Sequence, residues 1–129
     1  LKNQILVAPG GKQMKFVSQN GKWLVRVNDD PAMNRHKPSV DYLFKSVCEA
    51  KLKNVVSVIL TGMGADGARE MKKLRELGAR TIAQNEETCV VYGMPREAVE
   101  IGAAERVLPL DSIAQGIFDF FKETKSKAS

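Results

Sequence analysis

Apolar residues along this chain fall into two periods, short continuous runs and helical stripes, and the two alternate. The run Ile5-Leu6-Val7-Ala8, halted by Pro9-Gly10-Gly11, predicts a buried strand followed by a loop. Residues 14–17 and 23–27 flank Asn20-Gly21, a pair suited to a tight turn in which both central residues take positive φ, so they predict a hairpin. The polar stretch 28–38 ends at Ser39, whose hydroxyl can cap a helix running roughly to Leu52. In that helix Val40, Leu43, Phe44, Val47 and Cys48 share one stripe, which faces a sheet. Residues 55–60, Val-Val-Ser-Val-Ile-Leu, barely alternate and predict an interior parallel strand covered on both faces.

A loop, residues 61–67, leads into a helix with Ala68, Met71, Leu74 and Leu77 inward and Gly78 as a left-handed stop. A strand over 80–84 follows. Gly93, Met94 and Pro95 precede a short helix through Ile101, and Val107-Leu108 forms a last short strand. Asp111 is the expected cap of a final helix with Ile113, Ile117 and Phe121 as its inner face. From Lys122 the sequence is polar and is expected to fray. Strands alternating with helices at this spacing imply an α/β fold: a doubly wound, mostly parallel sheet with helices on both faces, plus a small β-hairpin. Such folds bind ligands at the carboxyl edge of the strands, where loop 61–67 lies.

Composition narrows the chemistry only a little. The 129 residues suit one domain or a large part of one, and 20 Lys and Arg against 15 Asp and Glu give a formal charge of +5. That balance favours acidic partners, but the basic residues are interspersed with acids and aromatics are only 6%, so nucleic acid is not expected. Cys48 and Cys89 sit in apolar runs without metal-ligand spacing and read as reduced packing thiols of a cytoplasmic protein. No run approaches the ~20 apolar residues of a membrane span, and no leader pattern opens the chain, so neither membrane insertion nor secretion is expected.

Gly62-Met63-Gly64-Ala65-Asp66-Gly67 fits G-x-G-x-x-G between a strand and a helix, the pattern of a dinucleotide-binding, Rossmann-like module, with Glu86 near the place of a ribose ligand. Against that reading, the Asp66 carboxylate would face a pyrophosphate at a helix mouth, where backbone amides are wanted. The same position suits another task. A carboxylate at a helix amino terminus is stabilised as an anion and can orient a histidine. For an isolated aspartate before a helix, a simple helix cap is the preferred reading.

Ordered segments then decide the matter. Val7-Ala8-Pro9-Gly10, the stretch from Pro31 to Asp41 containing Asn34-Arg35-His36-Lys37-Pro38-Ser39, Ile59 through Ala68, Ala83-Gln84-Asn85-Glu86, Val90 through Pro95 and Val107-Leu108-Pro109-Leu110 together resemble the chemotaxis protein-glutamate methylesterases from about Ile5 to Phe121. The resemblance implies a serine hydrolase that cleaves methyl esters of glutamates on the cytoplasmic helices of chemoreceptors, with glutamine deamidation as a second activity, and that uses no cofactor or metal. It implies a Ser-His-Asp triad in which Asp66 is the aspartate, and a Met63 backbone amide that helps hold the oxyanion.

The family's glycine-flanked serine and its histidine have no match here. Ser18, Ser39, Ser46, Ser57, Ser112, Ser126 and Ser129 all lie outside a sharp strand-to-helix turn, and His36 belongs to a different family segment. Gln13 stands where many relatives are expected to have histidine. Asn34 to Lys37 reads as a polar loop near the site, with Arg35 able to pair with a carboxylate, and Asp29 and Asp30 as solvated charges. Residues 1–121 are therefore expected to be the carboxyl-terminal portion of a catalytic domain and 122–129 a polar tail. The missing amino-terminal part of that domain becomes a partner, and the chain alone is expected to be inactive. The dinucleotide-binding module and a non-catalytic interaction domain are the remaining alternatives.

Overall fold

Two glycine-assisted turns and one parallel sheet organise the chain, as seen in a computed structural model that describes residues 3–128, with side chains through 123. Strands β1 (Gln13–Gln19) and β2 (Lys22–Asn28) pair antiparallel from Gln13 opposite Asn28 to Gln19 opposite Lys22. Asn20 and Gly21 take φ of 53° and 74°, both positive, as a primed two-residue turn requires. Helix α1 (Val40–Ala50) starts at Ser39, whose hydroxyl accepts from Tyr42 N, and ends at Lys51 in a left-handed conformation. Ser46 ties hairpin to helix, its Oγ accepting from Phe16 N at 2.9 Å and donating to Leu43 O at 2.6 Å. The sheet that α1 meets is therefore the hairpin, and its other neighbour is α2 (Ala68–Glu76).

Strands β3 (Val56–Ile59), β4 (Arg80–Gln84) and β5 (Arg106–Leu108) form a parallel sheet in that order, with α2 and α3 (Met94–Glu100) as the crossovers and α4 (Leu110–Ala128) following the last strand. Each face of the sheet has its own core. Ile59, Ala68, Met71, Ala98 and Ala103 close one side beneath α2 and α3, and Ile82, Ile113 and Phe120 close the other beneath α4. Alternate residues of β3 serve the two cores, which explains a run too apolar for a one-faced strand. The strand is parallel as expected, yet β4 is the interior strand and β3 an edge among the described residues.

Several further expectations give way to tertiary packing. Residues 5–8 form no strand: Ile5 and Val7 are 94% and 84% exposed, because a strand needs a hydrogen-bonding neighbour and none is present among the described residues. Leu77 is exposed rather than inward. Three-residue steps fall short of a helical turn by about 60° each, so a stripe begun at Ala68 and Met71 has left the core face by its third step. The helix also ends there, in a Schellman arrangement with Gly78 N donating to Arg75 O and Ala79 N to Leu74 O. Asp111 lies inside the first turn of α4 and is not its cap.

The inner face of α4 is Ile113, Ile117 and Phe120, the last fully buried, while Phe121 is partly exposed. Two guanidinium groups, Arg80 and Arg106, each lie 4.1 Å from the Phe120 ring centre. Glu105 and Glu123 hold those arginines in place at 2.7–2.9 Å. This clamp fixes α4, which continues to Ala128 without a break near Lys122. Phe120→Ala is expected to cost ~3–5 kcal/mol of unfolding free energy and Phe121→Ala less than ~1 kcal/mol, read from urea denaturation at constant m-value.

Candidate active site

The loop after β3 is fastened at its start, through Thr61 and Gly62, to the end of β4 and the segment between β4 and α3. Buried Gln84, at the end of β4, accepts from Thr61 N at 2.8 Å and donates from Nε2 to Thr88 O at 2.8 Å. Thr61 Oγ1 accepts from Val91 N at 2.8 Å and donates to Val91 O at 3.1 Å. Gly62 N donates to Val91 O, and the carbonyl of Gly62 accepts from Gly93 N and Met94 N. Gly93 is there for close approach: a Cβ on it would lie 2.7 Å from Gly62 O and 3.0 Å from Gly64 N. Gly67 is needed for both reasons, with φ of +100° and a Cβ position 2.8 Å from Val40 Cγ1.

These contacts give the glycine pattern a structural cause other than a pyrophosphate cradle. Gly62 closes on the Met94 side chain and Gly67 on Val40, so the glycines serve chain-on-chain packing. Glu86 is an exposed residue of the loop after β4.

Asp66 is 5% exposed, and the helix it serves is α1 rather than α2. Its Oδ2 accepts from Val40 N at 2.6 Å, and its Oδ1 accepts from Asp41 N at 3.2 Å, Ser39 Oγ at 2.8 Å and Asn34 Nδ2 at 2.9 Å. Val40 and Asp41 are first-turn residues of α1, so the carboxylate sits at the positive end of that helix. Asp41 returns the contact. Its Oδ1 accepts from Glu70 N in the first turn of α2 at 3.1 Å, and its Oδ2 accepts from Asn34 Nδ2 at 2.7 Å. Burial pushes the Asp66 carboxyl up, but the donors from Asn34, Ser39, Val40 and Asp41 outweigh it and hold the group below its ordinary value of 3.8.

Asn34 and Arg35, at φ of 54° and 67°, form a tight turn closed by reciprocal Met33–His36 backbone bonds. Gln13 anchors that turn from β1. It is fully buried, donates to Pro31 O and His36 O, and accepts from Ser39 N. Asn34, Ser39, Asp41 and Gln13 thus belong to the site, a set that sequence reasoning missed as a group. The available signal was a surplus: three polar residues around one helix start exceed what a single cap uses.

A cleft of about 630 Å³ opens beside Asp66, lined also by Asn34, His36, Arg69, Lys72 and Glu97. Met63 stands outside it with 79% of its surface exposed, and its amide donates to no acceptor among the described residues. The structure thus brings His36 and Asp66 to one cleft and leaves Met63 at the far end of the same loop. Ser39 is no free hydroxyl, being buried and engaged by Asp66 and Tyr42. Arg35 is exposed and makes no ion pair among the described residues. Asp29 and Asp30 are exposed, as read, while Asp29 also bridges Lys12 and Lys37 and Asp30 accepts from the Tyr42 hydroxyl.

Because the folded Asp66 carboxyl titrates below 3.8, it contributes stability that is fully present above that value and is lost as pH falls through the folded value. Asp66→Asn is therefore expected to be less stable than the parent at pH 7, with the gap narrowing below pH ~4. Urea unfolding of both proteins over a pH series measures the gap, and a constant gap would contradict an ionised Asp66.

Comparison with known proteins places this arrangement. The chain is 50% identical over 123 residues to the protein-glutamate methylesterase/protein-glutamine glutaminase of Hydrogenovibrio crunogenus, covering 95% of this chain and 33% of the relative. It is 53% identical over 113 residues to a protein of that name, numbered 4, from Anaeromyxobacter dehalogenans, covering 88% of this chain and 32% of the relative. The chain thus spans about a third of the length of these curated relatives. The crystal structure of the Thermotoga maritima CheB methylesterase catalytic domain superposes with a TM-score of 0.80 at 37% identity, covering 86% of this chain and 59% of that one. The family model for CheB methylesterase matches residues 1–117, nearly all of the described fold, and on that evidence the chain belongs to the CheB methylesterase family.

Proposed function

We propose that this chain supplies the aspartate of a Ser-His-Asp triad that hydrolyses glutamate methyl esters on the cytoplasmic helices of chemoreceptors, with glutamine deamidation as a second activity. The observation that carries the reading is Asp66: an ionised, fully oriented carboxylate lining a cleft at the carboxyl edge of a parallel sheet. Its Oδ2 accepts only from Val40 among the described residues, which leaves a lone pair for an imidazole N–H.

In this mechanism a serine Oγ attacks the ester carbonyl while a histidine removes its proton, and Asp66 stabilises the imidazolium that forms. The tetrahedral oxyanion takes the Met63 amide as one donor. The imidazolium then gives its proton to the departing methoxide, which leaves as methanol. Water, activated by the same histidine, cleaves the acyl-serine to free glutamate and regenerates the hydroxyl. An aspartate does this work only as an anion, which is the state its four donors favour.

The serine and histidine come from the amino-terminal part of the same domain, and residues 1–121 form the rest of it, followed by a polar end within α4. Exposed Ile5, Val7 and Leu60, together with the edge of β3 that is unpaired among the described residues, suit the docking of that part. No described helix is long and apolar enough to cross a membrane, in keeping with action in the cytoplasm.

Methanol release from methylated receptor tests the proposal. Residues 1–129 alone are expected to show only background rates. In a chain that also carries the serine and histidine, Asp66→Asn is expected to lower kcat by ~10²–10⁴-fold with little change in KM. Full activity of that variant would reduce Asp66 to a helix cap.

A further inference from the structure

The side chain of Asn34 stands between two acids that cannot move apart. Its Nδ2 serves Asp41 Oδ2 at 2.7 Å and Asp66 Oδ1 at 2.9 Å, so both oxygens lie around one nitrogen. Asp41 is held from behind by Glu70 N, and Asp66 by Val40 N and Ser39 Oγ. Carboxylates at such range disfavour joint ionisation, and one takes up a proton unless donors intervene. An amide suits the gap because its one nitrogen carries two N–H donors and no charge. The backbone at φ of 54° also lies in the left-handed region, where asparagine is among the few well-tolerated residues.

We propose that Asn34 is a positioning residue for Asp66: by bridging it to Asp41, the amide keeps Asp66 an anion of fixed orientation despite a like charge next to it. The catalytic consequence rests on the reading of Asp66 as the triad aspartate, whereas the coupling itself does not. The other titratable and charged groups around the bridge are His36 from the same turn, Lys45 from α1, Arg69, Glu70, Lys72 and Lys73 from α2, and Glu97 from α3. All remain in every variant below, so they cancel in the comparison.

Asn34→Gly removes the amide and fits the backbone. In the protein at its full length, a carbon-13 titration of the Asp66 carboxyl is expected to rise by at least ~1 pH unit in this variant. Adding Asp41→Asn, which keeps the acceptor for Glu70 N, is expected to reverse at least half of the rise. Asn34→Asp, also compatible with positive φ, is a second variant, expected to raise the titration further. An unchanged titration in both single variants overturns the proposal, and so does a rise that Asp41→Asn leaves in place. On methyl ester, kcat of Asn34→Gly is expected to fall ~10-fold at near-constant KM and to recover in the double variant. If the titration moves while kcat does not, the coupling stands and the triad reading of Asp66 falls.

Discussion

Two helices in this protein begin at almost the same point, and each is capped by a carboxylate belonging to the other's neighbourhood. Asp66, just ahead of α2, takes the first amides of α1; Asp41, in the first turn of α1, takes an amide of α2. Converging helix amino termini leave unpaired N–H groups and a positive field on both sides, which an uncharged site would leave unsatisfied. Two carboxylates answer both needs but repel each other, and Asn34 joins them through one nitrogen. Charge-assisted bonds of this kind contribute about 1.5–3 kcal/mol each, more than an exposed cap. The crossing of α1 and α2, the aim of loop 61–67 and the charge of Asp66 all follow from that one arrangement.

Close backbone approach is the second constraint, and it sets the other half of the loop. Gly93 lets the chain after β4 lie flat on Gly62 and Gly64, and Gly67 lets the loop pass under Val40. A strand-end glutamine and a threonine then lock the two segments with side-chain bonds that use both the N–H and the C=O of Val91. The loop is thus rigid through packing at Gly67 and through hydrogen bonds at Thr61 and Gly62. Met63 lies between these anchors, its Cα 3.2 Å from where a Cβ on Gly93 would stand, while its side chain stays in the open.

What could be read in the sequence is what local chemistry decides. The Asn20-Gly21 turn, the Ser39 cap, the Gly78 stop and the strand over 80–84 each depend on a few adjacent residues, and each stands where its pattern puts it. Choices between neighbours on a helix were harder. Phe120 and Phe121 differ by one position, and the sandwich of Arg80 and Arg106, from strands β4 and β5, selects Phe120. Periodicity could not tell an edge from an interior strand either, since β3 is covered on both faces whichever it is. At the site, Asp66 was visible as an anion at a helix amino terminus, but the helix is α1, 26 residues earlier at Val40. Partners that distant leave no local trace, so the bonds that tie Gln13, Asn34 and Asp41 to the site are not legible in the sequence.

The donors that hold Asp66 come from residues 34–41, so its geometry is self-contained within this chain. That has a consequence for how the charge is maintained. An anion oriented only by a histidine would depend on the rest of the domain, and its protonation would follow every change in docking. Here the four donors are in place beforehand, so the cost of holding a buried carboxylate ionised is met by folding and not by assembly. Met63 differs, because its amide has no acceptor among the described residues. One loop therefore carries a carboxylate whose orientation is complete within this chain and, three residues earlier, a backbone donor whose orientation comes from packing alone.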